Sequence, residues 1–279
     1  MVTLGGVTMN CIHCFSNKTV KNGHRGDVQL YKCRECKRQF CEKGIYARME
    51  YDPFVVSSAM MLRMHRLSFD EVKYVLGKML KQKPNKSTIF RWIKKFYPLL
   101  MHIEKLRPHT FTKIWHVDEK FIRVRGSKDP FAYLWVVADN KSQIIAVHVS
   151  NARTGENAKI VLRKARTMTN ENPSVIITDG LQGYKKACKI FGRKTKHVKA
   201  HFKKKFIVLD GKIQGFSNNR IERINSDIDL FLHVFRGLKG FMTAQMWADL
   251  FRIWFNYCKP RKSGIEVEID KIPELVINN

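Results

Sequence analysis

The sequence of 279 residues predicts an α/β fold, a mixed sheet flanked by helices, preceded by a small cysteine-rich ribbon and a helical unit. Three observations predict it. Two Cys-x-x-Cys pairs open the chain within residues 1–45. Helical caps and periodicity fill residues 46–108. From residue 109 to 279, runs of β-branched and aromatic residues alternate with helical stretches, the mark of a mixed sheet with crossing helices.

Composition narrows the class of partner. Lys and Arg number 52 against 24 Asp and Glu, a net charge of +28. Residues 1–110 carry 21 of those cations and 8 of the acids, so the excess is spread along the chain rather than held in a basic tail. Such a surface faces a polyanion, and double-stranded nucleic acid is the first expectation. A ribosomal or membrane-surface protein shares the charge but leaves the acidic residues discussed below unexplained. No run of about 18 apolar residues offers a membrane span, and the N-terminus lacks the basic-then-apolar pattern of a signal peptide. Seven cysteines, four of them in two pairs, suit a reducing compartment and a metal site better than a disulfide framework. The expected location is the cytoplasm.

The pairs are Cys11-Ile-His-Cys14 and Cys33-Arg-Glu-Cys36. Zinc takes four thiolates tetrahedrally, and each C-x-x-C turn presents two of them from one knuckle. Between the pairs, Asn22-Gly23 reads as a turn and Val28–Tyr31 as a short strand, the layout of a zinc ribbon. Coincidental pairs or a redox dithiol are the alternatives, and neither explains two pairs at ribbon spacing. Cys41 is a fifth candidate ligand, expected rather as a buried neighbour. Lys18, Lys21, Arg25, Lys32, Arg34, Lys37 and Arg38 surround the site, which leaves both a DNA contact and a purely structural role open.

In the helical unit, Asp52-Pro53 is an N-cap followed by proline at the first helical position, leading into an apolar run from Phe54 to Leu62. Ser68-Phe-Asp-Glu71 is a capping box ahead of Val72, Val75, Leu76 and Met79. A third helix capped by Ser87 turns Ile89, Trp92, Ile93 and Phe96 inward and Lys86, Thr88, Arg91, Lys94 and Lys95 outward. A basic last helix suits a helix-turn-helix whose final helix enters the major groove; a helical bundle with a solvated basic face is the alternative. Pro98 and Pro108 are expected to end the unit.

The sheet opens with Ile114–Val124, then Phe131–Ala138 and Gln143–Val149, joined by short connections at Gly126–Pro130 and Asp139–Ser142 that make them antiparallel neighbours. A helix over Thr154–Thr169, a buried strand Ser174–Thr178, a helix Tyr184–Ile190, a short strand near His197-Val198 and a helix Ser217–Phe235 follow. A small hairpin is expected over Ile207–Ile213 around Asp210-Gly211. Three antiparallel strands, then helix, strand, helix, strand, helix is the RNase H-like order. In that arrangement the first strand lies beside the strand after the first helix, so Asp118 and Asp179 can meet. Glu222 arrives from the last helix.

An acidic residue inside an apolar strand needs a cation or a chemical role, since a buried unpaired charge costs several kcal/mol. The plain alternative is a strand end where Asp118 meets solvent or Lys120. Phosphodiester cleavage offers such a role, because two divalent ions about 3.5–4 Å apart activate the nucleophile and stabilise the leaving oxygen. Magnesium or manganese prefers carboxylate ligands. Asp118, as the bridging ligand, with Asp179 and Glu222, meets that need. Glu119 is expected on the other side of the strand. Asp139 reads as a turn residue, while Asp227 and Asp229 compete with Glu222. His116 shares a strand face with Asp118 and is either a helper or a packed histidine. Trp115, Trp135, Trp247 and Trp254 read as core. Residues 185–205 hold ten cations and no acid, among them Arg193, Lys194, Lys196, Lys199, Lys203 and Lys204, with Phe191, His197, His201 and Phe202 interleaved. Beside an acidic site this reads as a phosphate-tracking surface rather than a solvated helix face.

His116-Val-Asp118-Glu, Ile177-Thr-Asp179-Gly-Leu-Gln-Gly-Tyr184 and Asn218-Asn-Arg-Ile-Glu222-Arg-Ile-Asn225 resemble the three motifs of the DDE transposases of bacterial and archaeal insertion sequences. Phe235–Phe241 and Phe255–Pro260 resemble that family's tail, and the likeness covers about residues 112–262. The resemblance implies an RNase H-like core, Mg²⁺ dependence, cleavage at transposon ends, transfer of the freed 3′-hydroxyl into target DNA, and a homodimer or higher oligomer on DNA. Three departures stand out, the first being a stretch between Asp179 and Glu222 longer than in the most compact members, with the surplus expected in 199–216. Asp229 occupies the place where many members carry a DNA-contacting Lys or Arg, with Arg220, Arg223 and Arg236 as substitutes, and Arg261 stands where relatives often have His. The competing readings are an RNase H-like nuclease or resolvase without strand transfer, and a catalytically inert DNA-binding protein.

Overall fold

The computed structural model of the protein describes residues 9–47, 49–107, 109–125, 131–200, 205–209, 212–235 and 238–259. The Gly126–Pro130 connection, His201, Phe202, Lys203, Lys204, the Asp210-Gly211 turn, Arg236 and Pro260-Arg261 lie outside the described residues. The chain divides into two compact units between Leu106 and Arg107.

The first unit begins with a three-stranded antiparallel sheet, β1 (Thr19–Arg25), β2 (Val28–Cys33) and β3 (Gln39–Cys41). Asn22-Gly23 is not the turn that the dipeptide suggests. It lies inside β1, where the register with β2 shifts between Lys21 and His24, and the chain reverses instead between Arg25 and Val28. The pair forms an irregularity in the ladder, with the Gln29 amide reaching back to the Gly23 carbonyl at 2.7 Å. Helices α1 (Pro53–Met64), α2 (Phe69–Met79) and α3 (Lys86–Leu106) follow. The Asp52 cap and the Ser68–Glu71 capping box both form.

Helix α3 differs from expectation at both ends. It starts at Lys86, one residue before Ser87, with the Asn85 carbonyl accepting from Thr88 and Ile89. It also runs through Pro98. A proline inside a helix removes one backbone hydrogen bond and usually ends or kinks it. Here tertiary packing holds the helix beyond that point. The Phe15 ring stacks on His102 at 4.0 Å, and Met9, Ile12 and Phe15 of the ribbon share a cavity of about 380 Å³ with Leu99, Ile103 and Leu106.

The second unit is built on β4 (Ile114–Arg125), β5 (Phe131–Asp139), β6 (Ile144–Ser150), α4 (Gly155–Thr169), β7 (Val175–Thr178), α5 (Gln182–Cys188), β8 (Lys196–Lys199), β9 (Lys205–Leu209), β10 (Lys212–Phe216), α6 (Asn219–His233), β11 (Leu238–Lys239) and α7 (Phe241–Tyr257). The sheet order is β6-β5-β4-β7-β8, with β11 pairing the far end of β4 and β9–β10 forming a separate hairpin. Strands β4, β5 and β6 are antiparallel; β7 and β8 are parallel to β4. This is the RNase H-like mixed sheet, and β4 is its centre.

Alternation along β4 divides the two layers. Trp115 and Val117 pack with Trp135, Ile145 and Ile176 against Ala158, Val161 and Leu162 of α4 and Ala187 of α5. Ile122 of the opposite face meets Ile228 and Phe231 of α6 and Trp247 and Phe251 of α7. All four tryptophans expected in the core are buried. Among the described residues no helix is long and apolar enough to cross a membrane.

The starts of α4 and α5 meet at two glycines. A β-carbon on Gly183 would lie 3.1 Å from Gly155 Cα and N, with no flexible side chain to give way. Gly183→Ala is therefore expected to destabilise the protein by about 1–3 kcal/mol, the usual cost of overpacking. Thermal denaturation beside the parent protein measures it.

Candidate active site

The acidic cluster forms where the sheet changes width. β7 pairs with β4 from Val175 opposite Ile114 to Thr178 opposite Val117, and there it ends. β4 continues, so Asp118 and Glu119 stand past the end of their neighbour, beside the Asp179 that follows β7. Carboxylate oxygens of Asp118, Glu119 and Asp179 lie within 4.8 Å of one another.

Each carboxylate is held differently. Asp118 points towards α6, where Asn225 Nδ2 donates to its Oδ2 at 2.8 Å. Glu119 points to the opposite layer, as strand alternation requires. The Tyr184 hydroxyl donates to it and the Arg153 guanidinium pairs with it, leaving its side chain 2% exposed. Its carboxylate nevertheless joins the cluster, because past Thr178 no strand separates the two faces. Arg153 Nη2 also reaches Asp179 Oδ2 at 3.5 Å, and Asp179 Oδ1 accepts from the Leu181 backbone at 3.0 Å. The glycine contact between α4 and α5 is what lets Arg153 and Tyr184 close on Glu119 together.

The electrostatics follow from burial and like charge. Burial, then the negative charges of Glu119 and Asp179, pushes Asp118 up to about 7 against the pull of the Asn225 bond. Burial also raises Glu119 despite Tyr184 and Arg153. Burial lowers His116 to about 4, so it is a packed neutral histidine with Nε2 3.4 Å from Asn140 Oδ1.

Glu222 sits in the first turn of α6, half-buried, one turn before Asn225 and so on the same flank of the helix. It is not among the three mutually close carboxylates. Its competitors are engaged elsewhere: Asp227 pairs with Lys259, and Asp229 with Lys120 at 2.7 Å. Lys120 therefore does not serve Asp118. Asp139 is buried and organises its turn, accepting from Lys141 and Gln143 at 2.9 and 2.8 Å. Arg153, Tyr184 and Asn225 were not singled out by sequence as site residues. Tyr184 and Asn225 close two of the quoted motifs, whereas Arg153 carries no periodic or motif signal.

The cations expected to meet DNA are exposed: Lys86, Arg91, Lys94 and Lys95 on α3, Arg193, Lys194, Lys196 and Lys199 around β8, and Arg220 and Arg223 on α6. Five are partly engaged: Lys86 with Asp70 at 2.6 Å, Arg91 with the Thr88 hydroxyl at 3.1 Å, Lys94 over the Phe90 ring at 5.2 Å, Lys95 with the Ala47 carbonyl at 3.2 Å and Lys196 with the Val208 carbonyl at 2.9 Å. In the ribbon, Cys11 Sγ lies 3.6 Å from Cys36 Sγ and Cys14 Sγ 3.5 Å from Cys33 Sγ, with all four within 4.8 Å. Zn–S bonds of about 2.3 Å place tetrahedral sulfurs about 3.8 Å apart, so the four thiols fit zinc.

Residues 112–259 match the DDE domain family of IS240-type transposases. The chain belongs to that family. The matched DDE domain holds the whole acidic cluster and α6. It is 22% identical over 134 residues to the transposase for the insertion sequence-like element IS431mec of Staphylococcus aureus strain Mu50 / ATCC 700699, covering 48% of this chain and 57% of the relative. The transposase for insertion sequence element IS257 in transposon Tn4003 of Staphylococcus aureus is 23% identical over 135 residues, with the same coverage. The chain thus spans little more than half the length of the curated relatives it matches. The HTLV-2 integrase catalytic core domain is similar in structure with a TM-score of 0.39 and 15% identity, over 56% of this chain and 93% of that one.

The DDE domain has a pH-dependent strain that can be read directly. Asp118 holds its proton to about pH 7 in the fold, against 3.8 ordinarily. The folded state binds more protons than the unfolded state between those values, so this group's contribution to stability falls as pH rises from 3.8 to about 7 and is level above. In zinc-replete buffer without magnesium, Asp118→Asn is expected to raise the melting temperature at pH 8 more than at pH 5. A gain that is the same at both pH values contradicts the burial of this charge.

Proposed function

We propose that the protein is a DNA transposase that cleaves phosphodiesters at the ends of an insertion sequence and joins the freed 3′-hydroxyl to target DNA. One observation carries the reading: Asp118 and Asp179 stand side by side at the strand end, with Asp118 pushed up to about 7 by burial and neighbouring negative charge. Repulsion of that kind is what a divalent cation relieves. Asp118, Asp179 and Glu222 are the residues that would hold magnesium or manganese. A metal held there would supply Lewis-acid activation of the nucleophile and charge stabilisation at the leaving oxygen. The protein's own part is to keep the carboxylates together: Asn225 aims Asp118, and the Leu181 backbone and Arg153 fix Asp179.

The remaining assignments follow the surface. Residues 1–45 form a zinc ribbon on Cys11, Cys14, Cys33 and Cys36, residues 46–108 a helix-turn-helix DNA-binding unit, and residues 109–279 the catalytic domain. The partner is double-stranded DNA, as transposon ends and as target, bound by a homodimer or higher oligomer in the cytoplasm. Arg91 and Lys94 present exposed cations on α3, and the Lys196–Lys199 region of the catalytic domain follows phosphates.

Asp118→Asn and Asp179→Asn are each expected to reduce 3′-hydroxyl joining to background in a Mg²⁺ strand-transfer assay while DNA binding persists. Undiminished joining removes the assignment, and cleavage without joining in the parent protein favours a nuclease. On the binding side, Lys94→Ala is expected to weaken DNA binding across sequences alike and to reduce the salt slope of log K by about one. Native mass spectrometry is expected to find one zinc per chain, lost in Cys33→Ser.

A further inference from the structure

One face of the central strand stays open beyond the carboxylates. On β4 the side chains of Trp115 and Val117 pack with α4 and α5, and Glu119, next on that face, pairs with Arg153. Past Glu119 the same face carries Phe121, Arg123 and Arg125, all exposed, while Ile122 and Val124 are buried on the other. Strand β5 supplies Tyr133 opposite Phe121 and Phe131 opposite Arg123. Strand β11 adds the exposed Lys239 opposite Arg125. A solvated strand face ordinarily carries polar side chains, yet Phe121 and Phe131 are 53% and 42% exposed.

The aromatic side chains form one group. The Phe121 and Phe131 rings stack with centroids 4.7 Å apart, and the Tyr133 ring meets Phe121 edge-on at 5.5 Å. Tyr133 in turn packs on the core cluster beneath α4, which anchors the group to the sheet. The cations share this face by register. Arg123 stands across from Phe131 and two residues from Phe121, and Arg125 and Lys239 follow as a pair. None of these described positions of β4, β5 and β11 beyond Glu119 is acidic. In the other direction Phe121 is two residues from Glu119, whose carboxylate lies within 4.8 Å of those of Asp118 and Asp179. Acidic site, aromatic rings and cations thus follow one another along a single strand face. The cations disfavour a second copy of the chain as occupant, since pairing two such faces would bring like charges together.

Charge and chemistry select the occupant. A polyanion is drawn to Arg123, Arg125 and Lys239, and an unpaired base stacks on exposed aromatic rings, so one DNA strand satisfies both. We propose that Phe121, backed by Phe131 and Tyr133, is a stacking platform for an unpaired nucleobase of the DNA strand that passes through the acidic site. The phosphates beyond that base run along Arg123, Arg125 and Lys239. This assignment rests on the transposase reading and adds to it the path of the strand away from the carboxylates.

The test uses the full-length, zinc-loaded protein and a duplex with a short single-stranded 3′ overhang carrying 2-aminopurine, beside a blunt duplex of the same sequence. The parent protein is expected to quench the probe. Phe121→Ala should remove the quenching and weaken overhang binding at least about fivefold, the lower end for one stacked base, with a smaller loss on the blunt duplex. Phe121→Leu keeps an apolar side chain without a π face and should lose the quenching equally, which decides the matter should the alanine variant not fold. Phe121→Trp should retain it. Quenching that survives in Phe121→Leu, or equal losses on the two DNAs, overturns the proposal. So does a parent protein that binds the blunt duplex yet leaves the probe unquenched. A shift from oligomer to monomer by sedimentation, with overhang binding intact, also overturns it and assigns the face to self-association. A parent protein that binds neither DNA fails the transposase reading itself, a result distinct from selective loss of stacking.

Discussion

The structure depends on a mismatch of strand lengths. β4 runs past the end of β7, and the two residues that overhang are acidic. With Asp179 closing the gap, three carboxylates share one partly buried place, where repulsion is stronger than in water. Much of the surrounding sequence answers this one cost. Asn225 donates from α6, Tyr184 from α5, and Arg153 from the approach to α4. The glycine crossing of α4 and α5 brings the last two within reach.

Those answers are unequal, and the inequality separates the roles of the two neighbours on β4. Glu119 receives a cation and a hydroxyl and is almost wholly enclosed. Both donors come from the layer opposite α6, so Glu119 is already satisfied and serves to hold that layer to the strand end. Asp118 receives only neutral amides, the Asn225 side chain and the Glu119 backbone N–H, and its carboxyl is pushed up to about 7. A group left under-compensated in an otherwise satisfied surrounding is the one with capacity for a cation. On the proposed function, the adjacent acids Asp118-Glu119 would thus divide into a ligand position and a structural anchor.

The order of elements, the helix caps, the four cysteines and the meeting of Asp118 with Asp179 were legible in the sequence because each rests on local spacing or on a topology with few alternatives. What was not legible depends on contacts distant in sequence. Pro98 reads as a helix end, and only the Phe15–His102 stack shows why α3 continues. Asn22-Gly23 reads as a turn, but the register of β1 with β2 absorbs it as an irregularity. Glu119 was set apart from Asp118 by strand alternation, a rule that assumes a neighbouring strand to divide the faces. β7 ends one residue too early for it to apply. Arg153 had no signal because a lone arginine before a helix cap has no pattern until its two carboxylates are located.

The acidic residues of α6 carry the same logic to the third carboxylate. Asp227 and Asp229 are each committed to a lysine, Lys259 and Lys120. Among the described residues Glu222 has no such salt bridge, and it shares a helix flank with the Asn225 that touches Asp118. The departure at Asp229, where related transposases often place a cation, is offset by charge exchange. Lys120 lies two residues from Asp118 on the same strand face, and its ammonium sits 2.7 Å from Asp229. A positive group therefore still stands beside α6, two turns beyond Glu222, supplied by the strand instead of the helix. On the proposed function, the pairing neutralises an acid that would otherwise compete for a metal, and Glu222 would be the carboxylate of α6 left to join Asp118 and Asp179.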